Sequence, residues 1–292
     1  MKFEVNHVKV SYAKNRSLSD LNVSIVDGIT IIIGHNGVGK SSLISVIEGL
    51  AKIEGKDEVK VGGHLPYYNP DLAFRDVSFL PERPLPIGGF TVMDWIEFYS
   101  GLRKINFERL KMIMEELGVY GLKRARTKYL SMGETQLISM SICLSTECKF
   151  FVLDEPNSNI DLENRNILAN IIQRLRHEND LSFIIVSHIL DDLLPIAENI
   201  VIFRPEKIIG PIPIKTGIGE NLFSIKLREI DQIVKKIEGK LVYKIIRNNI
   251  LIRDEDFKNF ISSINADQVA SIMSIIPVPR VMEDEFSYVQ KP

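Results

Sequence analysis

The residues Gly34-His35-Asn36-Gly37-Val38-Gly39-Lys40-Ser41 follow directly on the apolar run Ile29-Thr30-Ile31-Ile32-Ile33, and Leu43, Ile44, Ile47 and Leu50 then recur at helical spacing. A short apolar run, a turn fitting G-x-x-x-x-G-K-[ST] and a helix in that order predict a buried strand of an α/β sheet that delivers a loop to a helix N-terminus. The glycines let backbone N–H groups turn inward around an anion, and the helix beginning at Gly39 points its positive end at the same place. Lys40 adds a charge for terminal phosphates, and the Ser41 hydroxyl is placed for Mg²⁺.

A second apolar strand, Phe150-Phe151-Val152-Leu153, ends in Asp154-Glu155. A central strand hands its C-terminal residues to the crevice where α/β sheets bind ligands. Asp154 then suits the Mg²⁺ shell and Glu155 suits polarising an attacking water. Between the two elements, Ser131-x-x-Glu134 reads as a capping box that opens a helix running to Leu144.

The spacing of apolar residues predicts strands over Lys2 to Tyr12 and Leu21 to Val26 before the loop. Helices over Thr91 to Leu102, Phe107 to Leu117 and Glu134 to Leu144 form a helical insertion at about 88–145. Strands Ser182 to Val186 and Ile200 to Phe203 and a helix Glu163 to Arg176 then restore α/β layering. The segment EKIIGPIPIKTGIGEN after Pro205 reads as a linker. The expected division is therefore 1–205 for the nucleotide-binding domain and 215–292 for a small C-terminal α+β module of split βαβ type. Its expected elements are strand Leu222 to Leu227, helix Glu229 to Ile237, strands Leu241 to Ile246 and Ile250 to Arg253, and helix Glu255 to Ile264.

Thirty-six Lys+Arg against 38 Asp+Glu, a net charge of -2, give no overall basic footprint, so no nucleic-acid partner is expected. The two cysteines, Cys143 and Cys148, are too few for a metal cluster and read as small core residues of a reducing compartment. No apolar stretch approaches the eighteen or so residues of a membrane helix, and the N-terminus lacks an apolar signal core. A cytoplasmic location is the expectation.

Leu130-Ser131-Met132-Gly133-Glu134 is similar to the LSGGQ signature of ABC-type ATPases, and its Ser131 falls 91 residues after Lys40. Glu155-Pro156-Asn157-Ser158-Asn159-Ile160-Asp161 resembles that family's EPTSALD stretch, and Val186-Ser187-His188 resembles the strand that carries its switch histidine. The resemblance runs from Tyr12 to about Phe203. It implies an α/β phosphate-loop ATPase core with a mixed sheet and helical insertion, ATP and Mg²⁺ as cofactors, and hydrolysis of ATP.

On that resemblance ATP lies on Gly34, His35, Asn36, Gly37, Val38, Gly39, Lys40, Ser41 and Ser42, with Tyr12 stacked on adenine. Mg²⁺ is held by Ser41, Asp154 and Glu82. Glu155, His188 and Lys40 carry the chemistry, while Ser131, Gly133 and Asp161 act on the ATP of a second ATPase subunit bound head to tail, in a homo- or heterodimer. Glu82 stands where the family has a loop glutamine, and Met132 and Glu134 replace a glycine and a glutamine. The implied partner is a separate transmembrane permease subunit, which places the chain at the inner face of the membrane. Val281-Met282-Glu283-Asp284-Glu285-Phe286 looks like the tail of efflux-type members and suggests export. Two other readings stay open: a soluble ABC ATPase of DNA repair or translation, and a nucleotide-dependent assembly module with negligible hydrolysis. The short spacing and single phosphate loop disfavour the first; intact Glu155 and His188 disfavour the second.

Overall fold

The computed structural model describes residues 3–12, 16–25, 27–34, 37–51, 53–54, 59–86, 88–187, 192–203, 208–213, 221–238, 241, 243–246, 249–269 and 271–279. Strands β1 (Phe3–Tyr12), β2 (Arg16–Ile25) and β3 (Ile29–Gly34) lead into helix α1 (Lys40–Ile47). Two short strands, β4 (Ile53–Glu54) and β5 (Val59–Val61), precede a one-turn helix α2 (Pro70–Ala73) and strand β6 (Val77–Leu80). The helical insertion follows as α3 (Val92–Leu102), α4 (Phe107–Glu116) and α5 (Met132–Leu144). Strand β7 (Phe150–Asp154), helix α6 (Leu162–Asn179), and strands β8 (Ser182–Val186), β9 (Asn199–Phe203) and β10 (Ile208–Pro213) complete the large sheet.

That sheet has the order β10-β9-β3-β8-β7-β6. Its inner neighbours all pair in parallel, and only β10 runs antiparallel, at the edge. Parallel strands covered on both faces are near-continuously apolar. The sequence obeys this: Ile31, Ile33, Phe151, Leu153, Phe183 and Ile185 enter one core with α5 and α6, while Ile32, Phe150, Val152, Ile184 and Val186 enter a second core with α1 and the N-terminal strands. The N-terminal sheet is antiparallel, with β1 paired to β2, β4 and β5.

The insertion is built on capped helices. Thr91 and Asp94 exchange capping bonds at α3, and Asn106 Oδ1 accepts from Arg109 N at the start of α4. Helix α5 is buried from Gln136 to Leu144, so its sequence has no polar face to reveal. A bidentate pair from Arg174 in α6 to Glu116 in α4, at 2.7 and 3.1 Å, ties the insertion to the core.

Two expectations change here. The segment read as a linker contributes β10, because Pro is tolerated on an edge strand and the register shift between Ile209 and Ile212 accommodates Gly210 at φ +110°. The C-terminal segment has the split βαβ arrangement but adds strand β14 and the short helix α9 to the elements expected of it: β11 (Asn221–Leu227), α7 (Ile230–Ile237), β12 (Tyr243–Ile246), β13 (Asn249–Arg253), α8 (Asp254–Ser263), α9 (Ala266–Val269) and β14 (Ile272–Pro279). Its four strands form an antiparallel sheet of order β12-β13-β11-β14, a βαββαβ arrangement. Its buried Phe223, Ile225, Phe257 and Phe260 are continuous with the core of α5 and α6, and Lys258 Nζ donates to Pro195 O at 3.0 Å. Among the described residues no helix is long and apolar enough to cross a membrane.

Candidate functional site

Gly34 is the last residue of β3, and Gly37 and Gly39 take φ values of +81° and +111° that only glycine adopts without strain. The turn thereby brings Lys40, the first residue of α1, back beneath the loop. Its ammonium donates to Gly34 O at 2.7 Å, and the residue is only 7% exposed. Burial lowers the Lys40 pKa, and the neighbouring carboxylates of Glu155 and Asp154 oppose that shift. Val38 is buried, Ser41 exposed and Ser42 half-buried on the first turn of α1. His35 and Asn36 lie outside the described residues.

Strands β7 and β3 flank β8 and run parallel, so the C-terminal end of β7 faces the same crevice as the loop. Asp154 and Glu155 are each 9% exposed there. The Asp154 carboxyl is pushed up to about 6, first by burial and then by the charges of Glu155 and Glu82, with Lys40 opposing. Glu48, just past α1, is also pushed up by burial and by Asp154. Glu155 sits at φ 48°, a left-handed conformation for a residue with a side chain; its N–H donates to Val186 O at 2.8 Å, and the Ser187 hydroxyl donates to its Oε2 at 3.4 Å. Strand β8 ends beside this carboxylate, but His188 lies outside the described residues.

Sequence reasoning missed Ser187 and Glu48. A hydroxyl after a strand and a glutamate at a helix end carry no signal of their own; strand adjacency brings Ser187, and the packing of α1 against β7 brings Glu48, to the carboxylates.

Crowded carboxylates that resist ionisation fit a cation that is bound with them. Among the described residues no group of three or more His, Cys, Asp or Glu side chains forms a metal site. Asp154 and Ser41 match Mg²⁺, which takes few protein ligands and fills its shell with phosphate oxygens and water. Glu82 is exposed just after β6, 3.8 Å from Arg83, yet close enough for its charge to raise Asp154.

The nucleotide- and metal-free chain should therefore gain stability when Asp154 becomes Asn. The raised pKa means that ionisation of Asp154 costs folded-state stability: its favourable contribution is complete below the ordinary value of 3.8 and is lost as pH rises through about 6. Asp154→Asn should raise stability at pH 7 and above by about 1 kcal/mol after allowance for solvent screening, read as a higher Tm, with the gain disappearing as pH falls from about 6 toward 4. Thermal melts in EDTA across that range test this. The same variant should lose the extra stabilisation that MgATP gives the wild type.

Ser131 caps α5. Its Oγ accepts from Glu134 N at 3.2 Å, and its N–H and hydroxyl donate to Glu134 Oε2 at 2.8 and 2.9 Å. Glu134 thus occupies both Ser131 donors, and Met132 beside it is 65% exposed. A Cβ on Gly133 would meet the backbone oxygen of Asn159 at 2.7 Å. Gly133→Ala should force α5 away from the turn after β7, with a loss of about 1–3 kcal/mol measurable by chemical denaturation. Asp161 caps α6 by accepting from Asn164 N at 2.8 Å, which lowers its pKa; it is exposed, like Ser131. Tyr12 ends β1, paired with Arg16. Gly34, Lys40, Asp154 and Glu155 therefore share one crevice, with the Glu82 charge reaching it, whereas the structure gives Ser131 and Asp161 no contact with Lys40 or Glu155.

The ABC transporter family profile matches residues 18–158. A Pyrococcus furiosus protein described as an ABC transporter ATP-binding protein is 30% identical over 192 residues, covering 63% of this chain and 73% of that one. A ribose import ATP-binding protein of Bacillus subtilis is 25% identical over 251 residues, covering 82% of this chain and 48% of its own length. The ATP-binding cassette sub-family A member 17 of Rattus norvegicus is 28% identical over 209 residues, 65% of this chain, and the chain spans 11% of that relative's length. A solved ATP-binding subunit of an ABC transporter shares the fold, with a TM-score of 0.65 at 18% identity over 81% of this chain and 93% of that one. The chain belongs to the ABC transporter family and carries its ATP-binding, ATPase-type domain.

Proposed function

We propose that the chain is the MgATP-hydrolysing subunit of a transporter whose membrane-spanning permease is a separate chain. The observation that carries this reading is the convergence of buried Lys40, Asp154 and Glu155 at the ends of β3 and β7. Lys40 and the loop N–H groups of Gly34 to Ser42, including His35, Asn36, Gly37, Val38 and Gly39, hold the phosphates, and Tyr12 stacks on the base. Ser41 and Asp154 would hold Mg²⁺, with Glu82 nearby, and the ion would supply charge neutralisation on the phosphates. Glu155 orients and deprotonates the attacking water, steadied by Ser187, and His188 stabilises charge on the γ-phosphate.

Ser131, Gly133 and Asp161 serve the ATP of a second ATPase subunit. The exposure of Ser131 and Asp161, and their lack of contact with Lys40 and Glu155 among the described residues, support that reading. The insertion also exposes Phe90, Met93, Phe98 and Leu102, an apolar surface suited to a permease at the inner face of the membrane. Residues 215–292 form an accessory module rather than part of the ATP site. Export is the direction we attach, on the tail Val281 to Phe286, which lies outside the described residues; the ribose import relative gives the alternative outcome.

Phosphate release from MgATP by the purified chain tests the reading. Turnover that needs Mg²⁺ and stops with EDTA supports it, and ATP binding without any turnover would leave the assembly-module reading in its place. Uptake or extrusion by vesicles holding the permease then fixes direction.

A further inference from the structure

Asn157 lies two residues after Glu155, in the turn between β7 and α6. Its side chain is completely buried, at 0% exposure, and neither Nδ2 nor Oδ1 has a hydrogen-bond partner among the described residues. A buried amide with donor and acceptor both unmet is disfavoured, and folds retain one where water or another state of the molecule satisfies it.

The backbone around this amide is well tied. The Ser158 N–H and hydroxyl both donate to Glu155 O, at 3.0 and 2.8 Å, and Gln136 Nε2 of α5 reaches Pro156 O at 3.5 Å. Yet Glu155 and Asn159, at φ 48° and 61°, are both left-handed without being glycine. Unfavourable features are thus gathered into five residues that begin at Glu155, as at sites where strain serves a mechanism. The far end of the turn meets α5, where Gly133 makes room for the Asn159 carbonyl. One short segment therefore joins the carboxylate of the chain's own crevice to the helix that carries Ser131.

We propose that Asn157 is a positioning residue whose amide gains a hydrogen-bond partner, a water or a peptide group, when the nucleotide site closes, and so holds the Glu155 turn in its hydrolytic form. The inference rests on Glu155 being the base. In the free chain the amide is a cost, and in the closed state it is a tie. Removing it should stabilise the free protein while slowing chemistry, whereas removing an ordinary, satisfied core amide destabilises a fold and leaves kcat alone.

The full-length chain provides the test. Asn157→Leu, close in shape but apolar, is expected to raise the nucleotide-free Tm by a few degrees and lower kcat tenfold or more, with KM for MgATP within twofold. Asn157→Thr, which keeps a hydrogen-bonding group, should recover part of kcat. If leucine does not fit and Tm falls, Asn157→Ala decides, since it removes the amide without a clash and should still lose kcat tenfold. A kcat within twofold of wild type in Asn157→Ala, or in a well-folded Asn157→Leu, overturns the inference while Glu155→Gln still abolishes turnover. A wild-type chain with no turnover at all overturns the reading of Glu155, and this inference with it.

Discussion

Glu155→Gln should bind MgATP as well as the wild type and hydrolyse it about 10² to 10⁴ times more slowly, the usual scale for loss of a general base. The carboxylate is held for one task. It is 9% exposed, its backbone is fixed by the bond to Val186 O, and its Oε2 accepts from Ser187. Glutamine keeps the shape and the Ser187 contact but cannot take a proton from water. It also removes one of the charges that push Asp154 up, so Mg²⁺ loses no ligand and Asp154 ionises more readily. Single-turnover phosphate release, with binding followed separately by a fluorescent nucleotide, separates the two effects. Unchanged turnover would remove Glu155 from the role.

Lys40→Ala should fail at an earlier step. Its ammonium sits inside the loop on Gly34 O, the place proposed for the terminal phosphates. Deleting that charge-assisted contact should weaken MgATP binding roughly ten- to a hundredfold. Ser131→Arg should do the reverse. Among the described residues the exposed hydroxyl touches no group of its own crevice, so a single chain should still bind nucleotide, but a bulky cation at the start of α5 should meet the positive end of the helix and block docking. Mixing the two inactive proteins should restore part of the activity, because one of the two composite sites then inherits neither defect.

The phosphate loop and its carboxylate strand were legible because their chemistry dictates residue types that periodicity places unaided: Ile29–Gly34, Phe150–Asp154 and Ser182–Val186 emerge within a residue of expectation, whereas helix Lys40–Ile47 stops three residues short of the expected Leu50, which is exposed. The capping box from Ser131 to Glu134 was equally readable, since it is a local hydrogen-bond pattern with a fixed spacing. Strand β10 was not, because Gly210, Pro211 and Pro213 speak for a turn and only the neighbouring strand β9 overrules them. Strand β14, the last of the C-terminal sheet, was missed because Met273, Ser274, Pro277 and Pro279 break a clean alternation; its pairing with β11 supplies what local propensity lacks. The site's energetics were hidden too. The left-handed Glu155, the unpartnered Asn157 and the reach of the Glu82 charge to Asp154 arise from parts of the chain that meet only on folding.

The central claim is that a complete site needs the Lys40 crevice of one chain and the Ser131 helix of another. Sedimentation of the Glu155→Gln protein measures this most directly, because blocked hydrolysis should trap the closed pair. The account predicts a species of twice 33.2 kDa with MgATP, a monomer without it, and a monomer again when Ser131→Arg is added. A Glu155→Gln chain that binds MgATP tightly and stays at 33.2 kDa would contradict the shared site.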